Sequence, residues 1–74
     1  MKKEVIKIIA NIMEIPERKI KMENTLIGDL DLESLDIVTL IAELEEKYQI
    51  EIPDKEIKKM QTVEDVVNYL EAHV

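Results

Sequence analysis

Apolar residues recur along this chain at helical spacing in three places. Val5, Ile8, Ile9, Ile12 and Met13 fall at i, i+3, i+4, i+7 and i+8, a single stripe with Lys2, Lys3, Glu4 and Lys7 left to water. The spacing predicts a first helix from about Lys3 to Glu14, ended by Pro16, which biases Ile15 away from helical angles. Ile37, Leu40, Ile41, Leu44 and Tyr48 define a second stripe and a helix from Ser34 to Tyr48. Val63, Val66, Val67 and Leu70 define the last, over about Val63 to Ala72. Thr62-Val-Glu-Asp65 before it has the form of a capping box, with Asp in place of the usual Glu or Gln.

The connections carry less periodicity. Between Pro16 and Glu33 no repeat is sustained, but Ile20, Met22, Leu26, Ile27 and Leu30 are spaced like anchors that pin a loop to a core. A loop this long in so small a protein is functional or disordered, and the anchors argue for order. It also holds the only glycine, Gly28. Ile50-Glu-Ile52-Pro53 alternates like a strand, yet a lone strand has no partner, so a connector is expected, followed by a short helix capped by Asp54 and reaching about Met60. The expected fold is all-α: a small four-helix bundle of three main helices and one short helix, with a long loop between the first two, forming one domain over residues 1–74.

Composition narrows the chemistry. With 46% hydrophobic and 36% charged residues the chain can fill a core beneath a hydrated surface. The absence of cysteine removes disulfides, thiolate metal sites and a thiol nucleophile, and fits a reducing cytoplasm. No signal peptide or membrane-length apolar run is expected. A net charge of −7 on 74 residues repels nucleic acid and anionic lipid and favours basic protein partners.

A catalytic site is not expected. The single histidine, His73, stands next to the C-terminus where helices fray, and no carboxylate pair has the apolar shielding that separates an acid from a base. The alternation of Asp29, Asp31 and Glu33 invites comparison with a calcium loop, but the sixth position is Ser34 rather than Gly and the twelfth is Leu40 rather than Glu. On the second helix, Leu35, Val38 and Ala42 lie together on the side away from the core stripe. Glu45 and Glu46 flank them, and Asp36 and Glu43 project from the opposite flank. An apolar strip rimmed by acid suits transient docking of a basic protein.

The segment Asp29-Leu-Asp-Leu-Glu-Ser34-Leu-Asp-Ile-Val-Thr-Leu-Ile-Ala-Glu-Leu-Glu-Glu-Lys-Tyr48 resembles the prosthetic-group region of discrete acyl carrier proteins. Glu33-Ser34-Leu35-Asp36 stands where that family has Asp-Ser-Leu-Asp, and Glu51-Ile-Pro-Asp54 and Thr62-Val63 follow at the family's distances. The likeness spans the whole chain. It implies a non-enzymatic, monomeric carrier in fatty acid or a specialised lipid or polyketide-type biosynthesis. Its Ser34 receives a covalent 4′-phosphopantetheine arm from coenzyme A through a phosphopantetheinyl transferase, and acyl groups ride on that arm as thioesters. A serine at the start of a helix also serves as a plain N-cap.

The resemblance further implies docking of acyl-processing enzymes with basic patches through Glu33, Leu35, Asp36, Val38, Ala42, Glu45, Glu46 and Asp54. It implies an acyl-chain lining of Leu26, Ile27, Ile41, Leu44, Ile52, Ile57, Met60 and Val66, residues that also make an ordinary aliphatic core. Asp31 replaces the family's usual Gly, Glu33 its Asp and Thr39 its common Glu, while Ile57 stands where many relatives have a small residue. These departures point to a specialised carrier. The competing expectation is an acidic helical adaptor that binds a basic partner without any prosthetic group.

Overall fold

A computed structural model describes all residues 1–74. Four α-helices make up the regular structure: α1 (Lys2–Met13), α2 (Ser34–Tyr48), α3 (Asp54–Ile57) and α4 (Val63–His73), with a single 3-10 turn at Glu17–Lys19. Helix α1 packs against both α2 and α4. Its buried face is Val5, Ile9 and Ala10, with Ile8, Ile12 and Met13 half-buried at the margins. Leu40, Ile41 and Leu44 face it from α2, and Val63, Val66, Val67 and Leu70 from α4. Each fully buried Leu or Ile of this set stabilises the fold by about 1.5–3 kcal/mol. Tyr48 ends the α2 stripe half-buried. Its hydroxyl has no hydrogen-bond partner, and burial, reinforced by the Glu4 carboxylate, pushes its pKa above the usual 10.0.

Helices α1 and α2 stop by the same device. Glu14 (φ 55°) and Gln49 (φ 56°) turn left-handed, and the next amides reach back five residues, Ile15 N–H to the Ala10 carbonyl at 3.1 Å and Ile50 N–H to that of Glu45 at 3.2 Å. Glycine is absent from both positions. The chain's single glycine, Gly28, has no positive φ and is required for space: a Cβ there would lie 2.7 Å from Thr25 Oγ1. That oxygen accepts the Asp29 N–H at 2.9 Å, while Asp29 Oδ2 accepts the Thr25 N–H at 2.9 Å.

The long loop is part of the core. Ile20, Leu26, Leu30 and Leu32 are buried, whereas Ile27, spaced like an anchor, is 69% exposed. Leu32, which no period marks, takes the place expected of Ile27. The loop is also sewn to the start of α4. Leu26 N–H bonds the Gln61 carbonyl at 2.8 Å, and the Val63 and Glu64 amides bond the carbonyls of Asn24 and Met22 at 3.1 and 3.0 Å. These bonds satisfy first-turn amides of α4 that have no partner within their own helix. The Thr62–Asp65 capping box completes the end, with Thr62 N–H to Asp65 Oδ2 at 3.0 Å and Asp65 N–H to Thr62 Oγ1 at 3.1 Å.

Two boundaries differ from expectation. Pro53, not Asp54, caps α3, because its ring fixes φ while its ψ stays extended, which leaves Asp54 as the first helical residue.

 Pro53 has φ −65° and ψ 151°, and the amides of Glu56 and Ile57 bond its carbonyl at 2.9 and 3.1 Å. Helix α3 ends at Ile57 rather than Met60, and Lys58 to Met60 continue as hydrogen-bonded turns. Residues 50–53 form no strand, as their lack of a pairing partner requires.

Candidate functional site

The start of α2 is built by the residues on either side of Ser34. Glu33 is extended (φ −96°, ψ 172°) and occupies the N-cap, its carbonyl accepting the Ile37 N–H at 3.0 Å. Asp36 Oδ2 reaches back to the Glu33 N–H at 2.9 Å. Ser34 is therefore the first helical residue, exposed, with its hydroxyl outside the cap. The reading of Ser34 as a plain N-cap is thereby corrected: the capping position belongs to Glu33.

The chain before Ser34 is held on both sides of a sharp turn. Leu30 and Leu32 are buried, Leu32 N–H bonds the Leu26 carbonyl at 2.9 Å, and Asp31 between them adopts φ 60°. Left-handed backbone explains why glycine suits this position, and Asp is among the side chains that tolerate it best. A rigid loop thus delivers an exposed hydroxyl to the first turn of a 15-residue helix, whose free amides and dipole favour a phosphate attached there.

A cleft of about 640 Å³ opens beside Ser34. Leu26, Ile27, Ile37, Ile57 and Met60 provide its apolar surface, while Thr25, Gly28, Lys58 and Gln61 join Ser34 as its polar lining. Four residues of the expected acyl lining, Leu26, Ile27, Ile57 and Met60, meet here. The other four, Ile41, Leu44, Ile52 and Val66, are buried in the core and do not line the cleft. Ile37 was expected in the core stripe and lies half-buried on the cleft instead. Lys58 and Gln61 had no marker in the sequence, because the cleft joins a loop, a helix start and a turn that no single periodicity relates.

The outward strip on α2 is present as exposed surface, with Leu35 75% and Val38 63% exposed and Ala42 open to solvent. Glu33, Glu46 and Asp54 are exposed as well. Asp36 is half-buried and engaged by the Glu33 amide. Glu45 is also half-buried, and its Oε2 accepts the Ile52 N–H at 2.7 Å, so this carboxylate holds the connector to α3. Thr39 donates its hydroxyl to the Leu35 carbonyl at 3.0 Å, which turns it inward onto its own helix. The loop acids form no cluster of three ligands suited to a metal ion, and no helix is long and apolar enough to cross a membrane.

Known proteins match this chain in sequence and in fold. The family model for the phosphopantetheine attachment site matches residues 3–70. An acyl carrier protein of Clostridium acetobutylicum is 53% identical over 66 residues, which cover 89% of this chain and 86% of that protein. One from Campylobacter lari is 44% identical over 68 residues, covering 92% and 88%. Among solved structures, a Mycobacterium tuberculosis protein assigned as an acyl carrier protein superposes with a TM-score of 0.90 at 27% identity, covering 99% of this chain and 97% of its own. A match across nearly the whole chain, joined to an exposed serine at a helix start, shows that this protein belongs to the acyl carrier protein family and carries acyl groups on 4′-phosphopantetheine.

Proposed function

We propose that Ser34 is the attachment residue and that residues 1–74 act as one monomeric carrier domain in the cytoplasm. The observation that carries this reading is the exposed Ser34 hydroxyl on the first turn of α2, left out of the cap by Glu33 and Asp36 and opening onto a half-apolar cleft. The surroundings fit the group. The Ser34 oxygen bonds the phosphate, the first-turn amides of α2 lie beside it, and the cleft offers apolar surface to a chain attached there. When bound, the arm supplies the terminal thiol that this cysteine-free chain lacks and so makes thioester chemistry available.

The protein's own residues then recognise and shelter. Leu35, Val38 and Ala42 offer weak apolar contact, and Glu33, Asp36, Glu46 and Asp54 steer a phosphopantetheinyl transferase and acyl-processing enzymes that present basic patches. Leu26, Ile27, Ile57 and Met60 line the space for the acyl chain, and the bulk of Ile57 narrows it. The pathway is fatty acid or a specialised lipid or polyketide-type biosynthesis.

Intact and peptide mass measurement after incubation with a transferase and coenzyme A tests the assignment. The protein gains one phosphopantetheine on the peptide containing Ser34, and Ser34→Ala gains none. Equal labelling of parent and variant rejects Ser34.

A further inference from the structure

We infer that Lys58 is a positioning residue for the arm: its ammonium group pairs with the anionic phosphodiester on Ser34 and holds the root of the arm at the mouth of the cleft. This rests on Ser34 as the attachment residue. Lys58 and Ser34 line the same cleft, and Lys58 is the one charged side chain that does so. A phosphodiester on the Ser34 oxygen starts in that lining by covalent necessity. The charged residues near Ser34 in sequence are all acidic: Glu33 before it, Asp36 two residues after it, and Asp29 and Asp31 in the preceding loop. Those acids repel the phosphodiester, and a single cation lines the cleft with Ser34.

Lys58 is free to answer. The ion pairs within the chain are those of the N-terminal amine with Glu4 and of Lys59 with Glu56, and Lys58 joins neither. Its backbone is fixed at the end of α3 (φ −63°, ψ −22°), with its N–H on the Asp54 carbonyl at 3.0 Å, so the exposed side chain starts from a defined point. Lys55 carries the same charge within α3, three residues earlier, but does not line the cleft, which makes it the natural control. The functional consequence is directional. With its phosphate drawn toward Lys58, the arm begins on the α3 side of Ser34, over the apolar lining of Ile57 and Met60, and not outward along α2.

The test uses arm-loaded protein whose attachment at Ser34 has been verified by peptide mass. In the 31P spectrum the phosphodiester resonance shifts and sharpens in Lys58→Gln, returns toward the parent position in Lys58→Arg, and is unchanged in Lys55→Gln. In the unsubstituted protein, attachment moves the Nζ resonance of Lys58 and leaves that of Lys55 in place. Both effects shrink as salt screens the pair. An identical 31P line in parent and Lys58→Gln, with a stationary Lys58 Nζ resonance, overturns the inference. A Lys58 response that arises only when an acyl group ending in a carboxylate is loaded also overturns it, because the cation would then read the cargo. If the arm is found at Ser34 and Lys58 stays silent, this inference alone falls; if the arm is found elsewhere, both readings fall.

Discussion

Glu45 Oε2 accepts the backbone N–H of Ile52 at 2.7 Å, while the carbonyl of the same Glu45 accepts the Ile50 N–H at 3.2 Å. One residue near the end of α2 therefore fixes both turns of the connector that places α3, and with it the Ile57, Lys58 and Met60 wall of the cleft. Glu46, its neighbour, is exposed and makes no such contact through its carboxylate.

Removing the two carboxylates should separate structure from steering. Glu45→Ala breaks a part-buried hydrogen bond to a charged acceptor and costs about 1.5–3 kcal/mol, whereas Glu46→Ala stays within about 0.5 kcal/mol. Urea unfolding of both variants decides the matter: equal midpoints would show that the Glu45 tie contributes nothing.

Glu46→Lys then probes electrostatic steering without disturbing the connector. Association with the transferase should slow at low ionic strength, and the deficit should narrow as the Debye length falls from about 30 Å at 0.01 M salt to about 8 Å at 0.15 M. Stopped-flow association rates across that range measure it. Equal rates at low salt would leave docking to apolar contact.

Val38→Glu tests that apolar contact. Because Val38 is 63% exposed, the substitution should leave stability within about 0.5 kcal/mol while lowering the transferase's kcat/KM for the protein. A melt unchanged together with unchanged kcat/KM would remove Val38 from the docking surface.

Asp31, three residues before Ser34, holds φ 60°. Asp31→Gly should match or exceed the parent in stability, since glycine reaches this backbone without strain although its unfolded chain is freer. Asp31→Val should lose about 1–2 kcal/mol, the scale of the left-handed penalty. Thermal denaturation orders the three; a valine variant as stable as the glycine variant would refute the strain argument.

The amides of Gln61 and Thr62 both donate to Asp65 Oδ2, at 2.9 and 3.0 Å, and hold its carboxyl below the usual 3.8. A carboxylate that releases its proton more readily folded than unfolded stabilises the fold fully above its unfolded value. That contribution is lost as pH falls through the lower folded value. Stability should therefore decline below about pH 4, and Asp65→Asn should flatten this part of the profile and lower stability at neutral pH. Denaturation midpoints of the two proteins between neutral and acid pH provide the comparison. Parallel curves would assign the acid loss to other carboxylates.

The main helices, their capping box and the serine segment were legible in the residues alone, because each depends on neighbours within a few positions. The stripe of Leu40, Ile41 and Leu44 emerges from a 3.6-residue period, Thr62 caps α4 by exchanging hydrogen bonds with Asp65 three residues on, and the Ser34 segment is contiguous. Long-range geometry decided what lay between them. Ile27 and Leu32 are both apolar loop residues, and no local rule says which is buried; the fold buries Leu32 because the Leu26 carbonyl and the hydrophobic core hold that stretch of chain in place.

Glu45 shows the same division. On a helical wheel it belongs with Glu46 on the outer flank, yet a connector amide seven residues ahead folds back onto its carboxylate. The wheel describes one helix in isolation and contains no information about where the following chain returns. The cleft is wholly a tertiary product, since Thr25, Ser34 and Lys58 come from a loop, a helix start and a later turn. Sequence determined the helices because those rest on local spacing, and it carried the contiguous motif around Ser34 on which the family resemblance rests; the packing of distant segments alone decided which side chains surround the Ser34 hydroxyl.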